Sequence, residues 1–200
     1  MPRVQSEYSR MVLEGTEREL VAACQRGERD AFRALFELHQ DRVYSIALRF
    51  SGDPAEAMDI AQDTFLKLFS GIRLFRGQSA FETFLYRLVV NCCLDRKRKQ
   101  RRLIPLIDEW AATLRSTAAS PRDELLHSEM RSLVQRAIGK LSADLRMVIV
   151  LRYTEGLAYD QIAEVLGCSS GTVASRLNRA HKSLERRLAP WARESGGGYV

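Results

Sequence analysis

Two hundred residues make room for one large domain or two small ones. With 46% hydrophobic residues the chain can bury a core, and a formal net charge of +6 favours a polyanionic partner, because neutralising phosphates releases counterions. Charge alone says nothing about fold, and scattered surface lysines would give the same balance. The four cysteines, Cys24, Cys92, Cys93 and Cys168, include no CxxC pair, and His39, His127 and His181 are far apart. No spacing here proposes a metal site, so buried reduced thiols are the expectation. Met1–Thr16 lacks the apolar segment of a signal peptide, and runs such as Met147–Leu151 are far too short to span a bilayer. The chain is read as a cytoplasmic protein without membrane insertion.

In chain order, nearly every start signal is a helix start. Thr16 with Glu19 makes a capping box before Leu20, Val21 and Cys24. Asp30 is placed to cap a helix carrying Phe32, Leu35, Phe36, Val43, Ile46, Ala47 and Phe50. Asp53-Pro54 is a cap followed by proline at the first helical position. Ala57, Ile60, Ala61, Thr64, Phe65 and Leu68 then line one face, while Asp59, Gln62 and Asp63 share a polar one. Gly71 and Gly77 bracket a loop, Gly71–Gln78. Ser79 with Glu82 is a second capping box, opening a helix through Phe84, Leu85, Leu88, Val89 and Cys92. That helix ends in Asp95–Arg102, with six basic residues in eight.

Leu103–Ser120 has weak periodicity and reads as a linker, although Leu106, Ile107 and Trp110 are too apolar for an idle spacer. Helix restarts at Ser120-Pro121 with Leu125, Leu126, Leu133, Val134, Ala137, Ile138 and Leu141 on one face. Ser142 caps the next helix, carrying Leu145, Val148, Ile149 and Leu151, and Gly156 ends it. No alternating strand pattern is found, so the expected fold is all-α.

Tyr159–His181 reads as helix, sharp turn, helix. Ile162, Ala163 and Leu166 form an apolar face, Gly167 stands where a left-handed residue ends a helix, and Ser169 can cap the next. Val173, Leu177, Ala180, Leu184 and Leu188 give the second helix one buried face. The other carries Ser175, Arg176, Asn178 and Arg179, residues suited to a DNA major groove. Asn178 can pair with adenine and an arginine with guanine. Arg176 could equally clamp the backbone. Ser169, Ser170 and Thr172 stand at the helix N-terminus, which suits a phosphate. Ala158 offers no side-chain cap to the first helix of the pair. Upstream, Arg73, Phe75, Arg76, Phe81, Phe84, Tyr86 and Arg87 interleave rings with guanidiniums, a combination that suits unpaired bases. Phe84 also fits the apolar face with Leu88 and reads as core.

The chain resembles the extracytoplasmic-function (ECF) sigma factors, the minimal form of the bacterial sigma family. The likeness rests on DIAQDTFLKLF, FRGQSAFETFLYRLVVN and LDRKRKQRR in the first half, and on LSADLRMVIVLRYTEGLAYDQIAEVLG and GTVASRLNRAHKSLERRL in the second. With Phe32–Phe50 it covers most of Glu17–Leu188. The resemblance implies two small helical domains on a flexible linker: sigma-2 over 15–102, linker over 103–123, sigma-4 over 124–190 and a tail over 191–200. It implies that Asp59, Gln62, Asp63 and Phe65 bind bacterial core RNA polymerase. Arg73, Phe75, Arg76, Arg87, Asn91, Arg96 and Arg98 are assigned to the promoter −10 element, where the Gly71–Gln78 loop captures a base flipped from the non-template strand. Ser169, Ser170, Thr172, Ser175, Arg176, Asn178 and Arg179 are assigned to the −35 element. This chain departs from the family's pattern at Met58, Phe84, Ala158 and Ala174. The partners implied are core polymerase, promoter DNA and an anti-sigma factor. No catalytic residue or cofactor is expected, since phosphodiester chemistry and its magnesium belong to the polymerase. The main rival is an autonomous helix-turn-helix regulator binding operator DNA as a dimer, which leaves the acidic face and the aromatic–arginine loop without a role. A second is a sigma-like adaptor that binds only a regulatory protein.

Overall fold

The computed structural model describes residues 17–103 and 132–194. Among them are eight α-helices, one short 3-10 turn and no strand. No helix among the described residues is long and apolar enough to cross a membrane. The expected all-α fold is what is observed. Contacts divide the described residues into two compact units, one of 17–48 with 53–92, the other of 49–52 with 93–103 and 132–194.

The first unit is built on α1 (17–25), α2 (Arg29–Ser51) as far as Leu48, α3 (Pro54–Gly71) and α4 (Phe81–Leu103) as far as Cys92. The start of α3 follows local chemistry: Asp53 is extended, and its Oδ1 accepts from the Glu56 N–H at 2.8 Å, with Pro54 behind it. Ala57, Ile60, Ala61, Thr64, Phe65 and Leu68 are buried, the face that the spacing predicts. Thr64 is tolerated there because its hydroxyl donates to the Ile60 carbonyl at 2.8 Å. Leu35, Val43, Ile46 and Ala47 of α2 are buried, whereas Phe32 is half-buried and Phe36 exposed. On α4, burial spreads beyond one stripe to Leu85, Tyr86, Val89, Val90 and Cys92, as expected of a central helix.

Two expected caps are displaced. α2 starts before Asp30: the Glu28 carbonyl accepts the first bond, from Phe32 N–H at 3.3 Å, and Asp30 lies in the first turn. Its charge there complements the helix dipole instead of capping. α4 starts after Ala80, whose carbonyl accepts from Phe84 N–H at 3.2 Å. Glu82 is thereby one position too early to close a box with Ser79, and its carboxylate pairs with Arg42 of α2. Thr16 lies outside the described residues.

The second unit contains α5 (132–139), α6 (Ala143–Tyr153), α7 (Tyr159–Leu166) and α8 (Ser170–Glu194). Met147 to Leu151 are buried without interruption, so α6 is enclosed on more than one side, and α6, α7 and α8 pack on one another. Ser142 occupies the N-cap position of α6 but its hydroxyl makes no capping bond. Arg146 is buried at 4% exposure, and its guanidinium donates to the carbonyls of Gly139 and of Leu141, the latter at 3.3 Å. That ties down the turn between α5 and α6, a role that the sequence pattern did not reveal. Ala137 and Leu141 are buried as expected; Leu125 and Leu126 lie outside the described residues. So does the expected linker beyond Leu103. The expected tail from 191 is partly corrected: α8 runs through the exposed Pro190 to Glu194.

Candidate nucleic-acid and partner interfaces

The helix-turn-helix is assembled from local signals. α7 begins at Tyr159 with Ala158 as N-cap; no side chain caps it, but Gln161 Oε1 accepts from the Ala158 N–H at 2.8 Å. Gly167 ends α7 at φ +62°, ψ +39°, its N–H reaching the Ala163 and Glu164 carbonyls. Cys168 N–H bonds to Ala163 O at 3.0 Å, which completes the glycine-terminated turn. Ser169 then caps α8: its Oγ accepts from Thr172 N–H at 3.2 Å and hydrogen-bonds the Thr172 hydroxyl at 2.9 Å. Ile162, Ala163 and Val165 of α7, and Val173, Leu177 and Ala180 of α8, are buried.

Burial of that spine sets the opposite side of α8 outward. Ser169, Ser170, Ser175, Asn178 and Arg179 are exposed, and Thr172 and Arg176 are half-buried. Several hydroxyls are already engaged along the helix. Ser175 donates to Thr172 O at 2.9 Å, leaving its lone pairs to accept, and Arg179 Nε donates to Ser175 O at 3.4 Å. Of this set Asn178 is the exposed side chain that can both donate and accept in one plane, as adenine recognition requires. Two further contacts in this unit carry no signal in the sequence. Tyr153 OH lies 2.8 Å from His181 Nε2, and Arg152 donates to Leu157 O at 2.8 Å with its guanidinium 5.4 Å from the Tyr159 ring centre.

On α3, Asp59, Gln62 and Asp63 are exposed on one side, as predicted. Phe65 is not: at 7% exposure it belongs to the core row Ala57–Ala61–Phe65–Leu68. Its ring meets Phe36 edge-on at 4.6 Å, so it supports the helix from beneath and presents nothing to a partner. Three apolar residues stand outside instead: Met58 at 61% exposure, Leu66 at 60% and Phe69 at 61%. With Gln62 they keep a 4-4-3 spacing, a signal present in the sequence beside the acidic row.

The α3–α4 connection is less open than a loop. α3 runs to Gly71 and passes into a 3-10 turn, Ile72–Leu74, in which Ile72 is buried. Arg73 and Arg76 are exposed, while Phe75 is half-buried, its ring 5.8 Å from Phe81 and 5.0 Å from Phe84. Phe75 is thus a packed ring with one side outward, not a free stacking platform. Along α4, Arg87 is half-buried, Asn91 exposed, Arg96 half-buried, and Arg98 exposed and paired with Asp95 at 3.2 Å. These basic groups suit phosphate contacts, which position a duplex without reading it.

Comparison with known proteins follows this division. Residues 35–103 match the family model for Sigma-70 region 2, and residues 131–184 that for Sigma-70 region 4. The RNA polymerase sigma-H factor of Pseudomonas aeruginosa is 34% identical over 193 residues, 92% of this chain and 100% of that protein. The ECF RNA polymerase sigma-E factor of Escherichia coli K12 is 35% identical over 189 residues, 89% of this chain and 97% of that one. Among solved structures, CnrH in complex with the cytosolic domain of CnrY is similar at TM-score 0.64 and 26% identity, covering 88% of this chain and 98% of that one. The sigma factor RpoE in complex with the anti-sigma factor NepR, from Bartonella quintana, is similar at TM-score 0.61 and 26% identity, covering 79% and 96%.

Proposed function

Because the chain belongs to the extracytoplasmic-function group of the sigma-70 family, we propose that it acts as the dissociable specificity subunit of a bacterial RNA polymerase. It directs promoter-specific initiation by binding the core enzyme, reading −35 and −10 elements and separating the DNA strands at the −10 element. The observation that carries this reading is the order of two sigma-70 regions in one chain, region 2 before region 4, the second ending in a helix with Ser175, Asn178 and Arg179 exposed. Bond formation belongs to the core enzyme, and this chain contributes binding free energy and strand separation. Its place of action is the cytoplasm, with the polymerase.

The work divides between the domains proposed at 15–102 and 124–190. Asp59, Gln62 and Asp63 engage the polymerase, with Met58, Leu66 and Phe69 beside them. Arg73 and Arg76 face the single-stranded −10 segment, and Asn91, Arg96 and Arg98 the backbone upstream of it. Ser169, Ser170 and Thr172 meet a −35 phosphate, while Ser175, Arg176, Asn178 and Arg179 enter the major groove, with Asn178 reading a base. An anti-sigma protein is the expected regulator; the similar RpoE chain is held by one, NepR.

The test is transcription from a promoter library by purified bacterial core polymerase, with and without this protein. Transcripts sharing upstream motifs, present only when the protein is added, support the reading. Absence of specific transcription, together with operator binding by the protein alone, would replace it with the autonomous regulator. Co-purification at native expression level tests the anti-sigma partner; recovery of the protein only alone or with polymerase removes that partner from the scheme.

A further inference from the structure

The turn between α3 and α4 is held from a distant part of the chain. Gln25 is the last residue of α1, 47 and 50 positions from its two partners: Nε2 donates to Ile72 O at 3.1 Å and to Phe75 O at 2.7 Å. Both partners are carbonyl oxygens, so the amide nitrogen must face them, one N–H to each. Ile72 O also accepts from Phe75 N–H at 3.1 Å, the bond that closes the 3-10 turn. One side chain therefore bridges the first residue of the turn, Ile72, and the residue that follows it, Phe75. Two residues further on, Gly27 adopts φ +90°, and a Cβ there would stand 3.2 Å from Arg73 Nη2. Glycine supplies the backbone conformation, and an added Cβ would make the Arg73 guanidinium give way by a few tenths of an ångström. Ile72 is buried and the half-buried Phe75 ring packs on Phe81 and Phe84, whereas Arg73, Leu74 and Arg76 are exposed.

We infer that Gln25 and Gly27 are positioning residues of the −10 loop: they hold the turn and Arg73 in the shape that receives the flipped base, so α1 contributes to promoter choice without touching DNA. The inference rests on the assignment of Gly71–Gln78 to −10 recognition. Its physical basis is preorganisation. A loop already in its receiving shape loses little freedom on capture, so less of its contact energy is spent on ordering. A loop released from Gln25 can adapt to several bases, and the difference in affinity between right and wrong bases shrinks.

The experiment uses the full chain in reconstituted holoenzyme. It reads base preference across the −10 element from a promoter library, with −35 preference, core polymerase affinity and melting temperature measured beside it. Gln25→Glu puts acceptors against the two carbonyls; Gln25→Lys keeps a donor of similar reach. Gln25→Glu is expected to cut −10 base discrimination by about three- to tenfold, with −35 preference and core affinity unchanged, and Gln25→Lys to restore most of it. Gly27→Ala should lower discrimination at the same positions. If Gln25→Glu lowers every reading together with the melting temperature, and Gln25→Lys does not separate them, Gln25 is only structural and the inference is overturned. Arg73→Ala and Arg76→Ala are run in parallel. If neither alters −10 preference, the loop assignment itself fails; if they do and Gln25→Glu does not, the loop assignment stands and the positioning role is lost.

Discussion

Ala158→Ser should stabilise the helix-turn-helix. α7 starts from Ala158 at φ −71°, ψ 162°, the extended backbone of an N-cap, so a serine enters without rearrangement. Half of a capping box is already present, Gln161 Oε1 accepting from Ala158 N–H at 2.8 Å. The missing half is a side-chain oxygen for the Gln161 N–H. Replacing alanine by serine at an N-cap is worth about 0.5–2 kcal/mol. Ala158 is exposed, so water already serves that N–H, which places the gain near the lower end, about 0.5–1 kcal/mol. In a unit of this size that raises the melting temperature by about 2–8 °C. The two units need not melt together, so a single transition is a poor monitor. Amide exchange resolved by residue is better: the Gln161 amide should slow by about two- to fivefold where exchange proceeds through opening of α7. Gln161→Ala should remove part of the gain from Ala158→Ser, since the box works reciprocally. Unchanged protection at Gln161 in the serine variant would refute the argument, because geometry and exposure leave no compensating cost.

Asn178→Ala should alter base preference at one −35 position, by about 1–3 kcal/mol of discrimination, and leave polymerase affinity intact; equal weakening at all promoters means that Asn178 does not read a base. Asp63→Arg should do the reverse, weakening core polymerase binding by about tenfold or more in a titration of labelled protein with core enzyme, without changing −35 preference; unchanged affinity removes Asp63 from the docking face. Burial first, and the Glu28 carboxylate second, push the Cys24 thiol above its usual range. A raised folded pKa contributes stability that is fully present below the unfolded thiol's value, about 8.5, and is lost as pH rises through the folded one. Denaturation midpoints should therefore fall above roughly pH 8.5, and less so in Cys24→Ala; the same slope in both proteins assigns the effect to other groups.

What could be read from the sequence was what is local. Asp53-Pro54, Gly167 and Ser169 act through backbone groups within a few residues, and each does what its type and position predict. Phe65 is legible in the same way, since Ala57, Ala61, Phe65 and Leu68 keep a core row at 4-4-3 spacing, and that row outweighs the docking role that the resemblance implies for it. Other features depended on partners far along the chain. Glu82 looks like half of a capping box until Arg42 of α2 is beside it. Nothing in the surroundings of Gln25 announces the carbonyls of Ile72 and Phe75, and Arg146 reads as a surface arginine until the Gly139 and Leu141 carbonyls close around it. Periodicity reports which side of a helix is buried, not what a polar side chain meets when helices pack.

On the docking face proposed for α3 both rows have a part. Met58, Leu66 and Phe69 each remain more than half exposed, although Phe69 already meets Phe32 edge-on at 4.9 Å. Three large apolar side chains on one helix, next to Asp59 and Asp63, do not form a solvated acidic face of the ordinary kind. In the proposed complex the two rows act at different stages. Exposed carboxylates are screened and contribute little affinity singly, but they orient an approaching basic surface and speed encounter. The apolar row carries the area that leaves water once contact is made, and so governs dissociation. Met58 then supplies area and no charge, so in the proposed complex its position weighs toward residence time rather than association rate. This separation also bears on Asp63→Arg, whose loss should be salt-dependent and concentrated in the association rate. A loss of equal size at high salt would mean that the arginine obstructs the apolar contact, not that the carboxylate steered it.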